Sequence, residues 1–73
     1  GFAVGNLDAT VIAQVPRLAP FRDAMVRGVA RCLGVEAERV SVKVTSSDGL
    51  GAIGRGDGIA AQAVVLLERA DPA

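Results

Sequence analysis

Val4-Gly5-Asn6-Leu7-Asp8-Ala9-Thr10-Val11-Ile12-Ala13-Gln14 is the stretch that decides the fold. Leu7, Ala9, Val11 and Ala13 alternate with Asp8, Thr10, Ile12 and Gln14. Period-two alternation carried by β-branched residues predicts a strand over 4–14. One face is fully apolar and the other mostly polar, as in a half-buried strand.

Downstream, Pro16 and Pro20 bracket a short connection. Pro20 suits the first turn of a helix, where its missing N–H costs nothing. From Leu18 an apolar stripe continues through Phe21, Met25, Val29 and Leu33, with Arg22, Asp23, Arg27 and Arg31 off it. That spacing predicts a helix over 20–33, capped by Gly34. Phe21, Met25 and Cys32 read as core. Glu36 to Glu38 form a polar turn. Val40, Val42 and Val44 then alternate with Ser41, Lys43 and Thr45, a second strand. A loop of small residues follows over 45–58, with five of the nine glycines between 49 and 58. Residues 59–69 are ambiguous by composition: alanine and leucine favour helix, Ile59, Val64 and Val65 favour strand.

The chain has 73 residues, 51% hydrophobic and 22% charged. A folded chain of this mass exposes roughly 4,200 Å² of its roughly 10,700 Å² unfolded surface, near the lower limit for independent folding. One domain, 1–73, is expected. Eight basic and eight acidic residues cancel, and aromatics are confined to Phe2 and Phe21. Neither charge nor stacking surface favours nucleic acid. The longest uncharged run, Gly58 to Leu67, is too short to span a bilayer as a helix. No histidine is present, which excludes a histidine base or a His-ligated metal within this chain, and a single Cys32 excludes an internal disulfide. Opening at Gly1, close to a strand pattern and with no signal-peptide pattern, the chain is expected to be a piece of a longer protein.

Three short patterns bear on chemistry. Gly49-Leu50-Gly51-Ala52-Ile53-Gly54 spells G-x-G-x-x-G, but no later strand supplies the acidic partner of a dinucleotide site. Arg55-Gly56-Asp57 spells a cell-adhesion tripeptide without extracellular context. Thr45-Ser46-Ser47-Asp48 sets three hydroxyls and a carboxylate at a strand end. Such a group suits phosphate oxygens and a hard cation, or equally a turn cap.

Taken in order, residues 5–14, Pro16-Arg17-Leu18-Ala19-Pro20, Val42-Lys43-Val44-Thr45 and Gly54-Arg55-Gly56-Asp57-Gly58-Ile59-Ala60 resemble the C-terminal half of the 2-C-methyl-D-erythritol 2,4-cyclodiphosphate synthase family. The resemblance implies an α+β, β-α-β-β fragment of a mixed-sheet sandwich, which makes 59–69 a strand. It implies a cytoplasmic homotrimeric lyase of non-mevalonate isoprenoid synthesis with sites between subunits. The substrate is the cytidine diphosphate-linked methylerythritol 2-phosphate, and CMP is expelled.

By the same resemblance, Ala13, Gln14, Val15, Pro16, Arg17, Leu18 and Ala19 match the loop that holds cytosine and ribose. Thr45, Ser46, Ser47 and Asp48 match the run that meets the phosphates. Ser46 falls on the transition-state-stabilising hydroxyl, and Asp48 on a glutamate that ligates magnesium or manganese. Arg55 matches an arginine near the substrate end. Ala52 replaces a family Phe, Gly49 a Lys and Gln62 a Glu. The family's zinc ligands lie upstream, so this chain is expected to be catalytically incomplete. The rival expectations are a non-catalytic nucleotide-binding or assembly module, and an interaction domain whose glycine loop is only a turn.

Overall fold

The alternation of Leu7, Ala9 and Val11 with polar neighbours produces β1 (Phe2–Ile12). A computed structural model describes residues 1–70; the rest of the expected single domain, 71–73, lies outside the described residues. β1 is the middle strand of a three-stranded sheet. β2 (Val40–Thr45) runs parallel to it on one side, and β3 (Ala60–Arg69) antiparallel on the other. The sheet is therefore mixed, and the ambiguous 59–69 segment is a strand.

β1 is shifted toward the N-terminus relative to the expected 4–14. Phe2 and Ala3 join because β3 is long enough to reach them, pairing through Arg69 and Glu68. At the other end the ladder with β2 closes at Ile12 and Thr45, with one further bond from the Ala13 amide to the Thr45 carbonyl at 2.9 Å. The chain then turns away through a cis Val15–Pro16 peptide. Gly5 is an extra residue between Val4, opposite Leu67, and Asn6, opposite Leu66. Its carbonyl accepts a bond from Arg39 Nη1 at 3.2 Å. A bulge of this kind bends the strand locally.

α1 (Arg22–Leu33) follows a single 3-10 turn, Ala19–Phe21, that holds Pro20. Gly34 ends it as expected, at φ 68°. The Val35 amide donates to the Ala30 carbonyl at 3.0 Å and the Gly34 amide to Arg31 at 3.2 Å. These two bonds satisfy carbonyls that the helix end would otherwise leave unpaired. α1 lies over β2 and β1 on one face of the sheet. Ala30, Val40 and Val42 are buried there, packed by Leu7, Val11, Met25, Val26, Val29 and Val35.

Two core expectations fail. Phe21 is 57% exposed, because it occupies the helix N-cap and leaves the stripe. Cys32 is exposed as well. It lines an open apolar groove of about 400 Å³ between α1 and the sheet, together with Ala9, Met25 and Leu33. Instead the buried centre of α1 is Ala30, flanked by Val26 and Val29.

No described element covers β3. From Ala61 to Arg69 every residue is exposed, including Val64, Val65, Leu66 and Leu67. The accessible surface is 5320 Å² and the radius of gyration 14.8 Å. A closed domain of this size has about 4,200 Å² and about 11 Å. The excess reflects the bare faces of β3. Among the described residues no helix is long and apolar enough to cross a membrane.

Candidate functional site

Because β1 and β2 are parallel and in register, their carboxyl ends emerge side by side. The segment after β1 and the segment after β2 therefore meet, although some 30 residues of chain separate them. Between them opens a cleft of about 480 Å³. Its walls include Ala13, Gln14, Arg17, Leu18 and Ala19 from the first segment and Thr45 and Ser46 from the second. Crevices outside the carboxyl ends of parallel strands are common ligand sites in α/β sheets. Val15, Pro16, Ser47, Asp48, Ala52 and Arg55 do not line this cleft, whereas Pro20 and Val44, not expected from the sequence, do.

The hydroxyl run is held by short-range bonds. Ser46 Oγ accepts the Asp48 amide at 3.2 Å. Ser47 Oγ donates to the Leu50 carbonyl at 2.7 Å, and the Leu50 amide returns a bond to the Ser47 carbonyl at 3.0 Å. Within that tight turn Asp48 has φ 55° and Gly49 φ 77°. Both central residues in the left-handed region make the pattern of a type I′ turn, for which Asp-Gly is a favoured pair. The dipeptide was a readable signal that the sequence reading overlooked. Asp48 itself is exposed beside Ser46.

Gln14 connects the two segments: its Oε1 accepts the Gly49 amide at 3.0 Å. The loop then enters one helical turn, α2 (Gly51–Gly54), inside the stretch expected to be irregular. Arg55 caps that turn and pairs with Asp57 at 3.0 Å, both largely in solvent. Gly56, at φ 80°, lies close enough to Val15 for a Cβ there to crowd the valine side chain. Thus the 54–57 segment also abuts the 13–19 segment, outside the cleft. Gln62 is far from the hydroxyls, opposite Thr10 on β3.

A cleft with the Thr45 and Ser46 hydroxyls on one side, the Asp48 carboxylate close by, and Ala13, Gln14, Arg17, Leu18 and Ala19 on the other can hold an elongated ligand with an anionic tail. Among the described residues no three His, Cys, Asp or Glu side chains form a metal-binding group. With no histidine in the chain, the residues present do not fit zinc. A single carboxylate beside hydroxyls fits a hard cation held mainly by phosphate oxygens and water.

The YgbB family matches residues 1–68. The 2-C-methyl-D-erythritol 2,4-cyclodiphosphate synthase of Trichlorobacter lovleyi is 60% identical over 67 residues, covering 92% of this chain and 43% of that protein. The bifunctional IspDF from Campylobacter jejuni has the same fold with a TM-score of 0.92 at 39% identity, over 97% of this chain and 19% of that one. IspF of Plasmodium falciparum, solved as a CDP complex, gives 0.85 at 33% identity, over 90% of this chain and 42% of that one. The chain spans less than half the length of the curated relatives it matches. On sequence and fold together, it belongs to the YgbB family.

Proposed function

We propose that this chain supplies the cytidine and phosphate contacts of a 2-C-methyl-D-erythritol 2,4-cyclodiphosphate synthase. The observation that supports this best is the cleft in which Ala13, Gln14, Arg17, Leu18 and Ala19 meet Thr45 and Ser46. Cytosine and ribose sit against residues 13–19, including Val15 and Pro16. The diphosphate reaches Thr45, Ser46, Ser47 and Asp48, with Ala52 and Arg55 toward the far end of the substrate.

In the reaction, the 2-phosphate oxygen of the methylerythritol attacks the β-phosphorus. That P–O bond forms as the bond to the bridging oxygen breaks, and CMP leaves with the oxygen. The chain's part is positioning and charge stabilisation, the main terms in phosphoryl transfer. Ser46 donates a hydrogen bond from its hydroxyl to phosphate oxygens that gain charge. Thr45 and Ser47 orient the same group. Asp48 would hold a magnesium or manganese ion, which would supply charge neutralisation when bound. Zinc chemistry belongs to residues outside this chain.

Two further features complete the reading. The protein is a homotrimer in which neighbouring subunits share each site; the bare faces of β3 support this, since they need partner surfaces. Its place is the cytoplasm, in line with small-molecule biosynthesis.

Calorimetric titration with CDP tests the proposal. Saturable binding that is lost on Ser46→Ala, and weakened on Asp48→Ala when magnesium is present, is the expected result. Absence of CDP binding by the chain, alone and with the remaining half of a relative added, would reject it. The chain alone, with zinc and magnesium, is expected to release no CMP from the diphosphate substrate. Binding that persists without turnover once that half is added would favour the non-catalytic nucleotide-binding module.

A further inference from the structure

The β1–β2 ladder ends at the bond from the Ala13 amide to Thr45, just where the two cleft segments begin to diverge. One residue later Gln14 crosses the gap by its side chain instead, its Oε1 accepting the Gly49 amide at 3.0 Å. Among the described residues no other side-chain hydrogen bond joins the 13–19 segment to the 45–50 segment. Every other side-chain bond of the 45–50 segment is internal to it, between Thr45 and Ser46, Ser46 and Asp48, or Ser47 and Leu50.

The acceptor is well matched to its donor. Gly49 lies in a turn whose two central residues both have positive φ, so its amide has no ladder partner. The preceding amide, Asp48, is already taken by Ser46 Oγ. Fixing the Gly49 amide therefore fixes the turn that carries Ser46 and Asp48. Gln14 is itself half-buried in the cleft wall, with a side chain held at one end by the strand.

From this geometry we infer that Gln14 is a positioning residue that couples the two halves of the cleft. Its side-chain carbonyl sets the phosphate-facing turn at a fixed distance from the nucleoside-facing segment. A ligand that spans both, a nucleoside diphosphate, benefits from that spacing; a nucleoside that touches only the first segment does not. The inference rests on the nucleotide reading of the cleft for its ligand, but the tie between Gln14 and Gly49 stands independently of it.

The test uses the 73-residue chain with two substitutions. Gln14→Met keeps the length and shape of the side chain but removes the acceptor. Gln14→Glu keeps an acceptor oxygen. Amide hydrogen exchange at Gly49 is followed by NMR without ligand, with the α1 amides as a check that the fold is retained. CDP and cytidine are then titrated separately. Gln14→Met is expected to speed Gly49 exchange and to weaken CDP about fivefold more than it weakens cytidine, the effect of losing one ordinary hydrogen bond. Gln14→Glu is expected to restore the slow exchange at Gly49.

Unchanged Gly49 exchange in Gln14→Met overturns the tie. Equal weakening of CDP and cytidine overturns the coupling, because it would make Gln14 an ordinary part of the nucleoside wall. Failure of the wild-type chain to bind CDP, alone and with the remaining half of a relative added, rejects the nucleotide reading and the coupling with it, while Gly49 exchange still decides the tie.

Discussion

The backbone of Gly54 rests against that of Gly49, so closely that a Cβ on Gly54 would overlap the Gly49 carbonyl carbon. The obstacle is backbone, which moves only if the whole turn moves. Gly54→Ala is therefore expected to destabilise the fold by about 2 kcal/mol or more. It should also weaken CDP binding, because the turn it displaces carries Asp48. Urea unfolding and CDP titration of the variant check this; a change under about 0.5 kcal/mol would mean the two glycines do not touch in solution.

Gly49 is left-handed but open to solvent, with nothing near the position of a Cβ. Gly49→Lys therefore isolates the conformational cost from any steric one. The expected loss is about 1–2 kcal/mol. For a domain of this size that lowers Tm by roughly 4–16 °C. An unchanged Tm would show that the turn accepts side chains freely.

Val42 is 6% exposed beneath α1, beside Ala30 and Val40. Val42→Ala removes two buried methyl groups and leaves a void that the sheet backbone cannot close. About 2 kcal/mol of unfolding free energy should be lost. By contrast Asp8→Asn, which breaks a 3.3 Å pair with Lys43 that is largely in solvent, should change stability by less than about 1 kcal/mol. Parallel denaturation curves compare them; the reverse order would place the stabilising contacts outside the α1–sheet layer.

Val64 is 74% exposed on the outer strand of the sheet. From Ala60 to Leu67 that strand holds no proline and no charge; an apolar edge of this kind readily pairs with other chains, and an inserted lysine blocks such pairing. Val64→Lys should shift the isolated chain toward monomer in light scattering and raise its solubility. Its unfolding free energy should move by no more than about 0.5 kcal/mol. An unchanged mass distribution would exclude β3 as the contact surface.

Much of this arrangement was legible in the sequence because local chemistry and tertiary packing agree. Leu7, Ala9 and Val11 alternate as a strand and pack as one. Gly34 reads as a cap and closes α1 at φ 68°. Where the reading slipped, a distant partner made the difference. Phe2 joins β1 only because Arg69 comes back to meet it. Residues 60–69 carry helix-forming alanine and leucine, and pairing with β1 overrides that preference. Phe21 and Cys32 lie near an apolar stripe, but a stripe gives a direction and not the width of what covers it. In the site, residues 13–19 and Thr45-Ser46 converge because parallel strands end together. The clash that requires Gly54, and the reach of Gln14 to Gly49, depend on how the loop folds back and leave no local mark.

The central place of β1 also sets an order in time. Leu7 pairs with Val40 on one side and with Val65 on the other. Pairing with β2 can begin once α1 has formed and the chain has turned back. Pairing with β3 must wait until Arg69 has been made, since Phe2 meets it. Contacts between segments distant in sequence close large loops and slow folding. During synthesis, then, the strand at the middle of the sheet is made before both of its partners, and one of its edges stays unsatisfied until β3 has followed. The cleft depends only on the earlier pairing, so it can take shape before the sheet does.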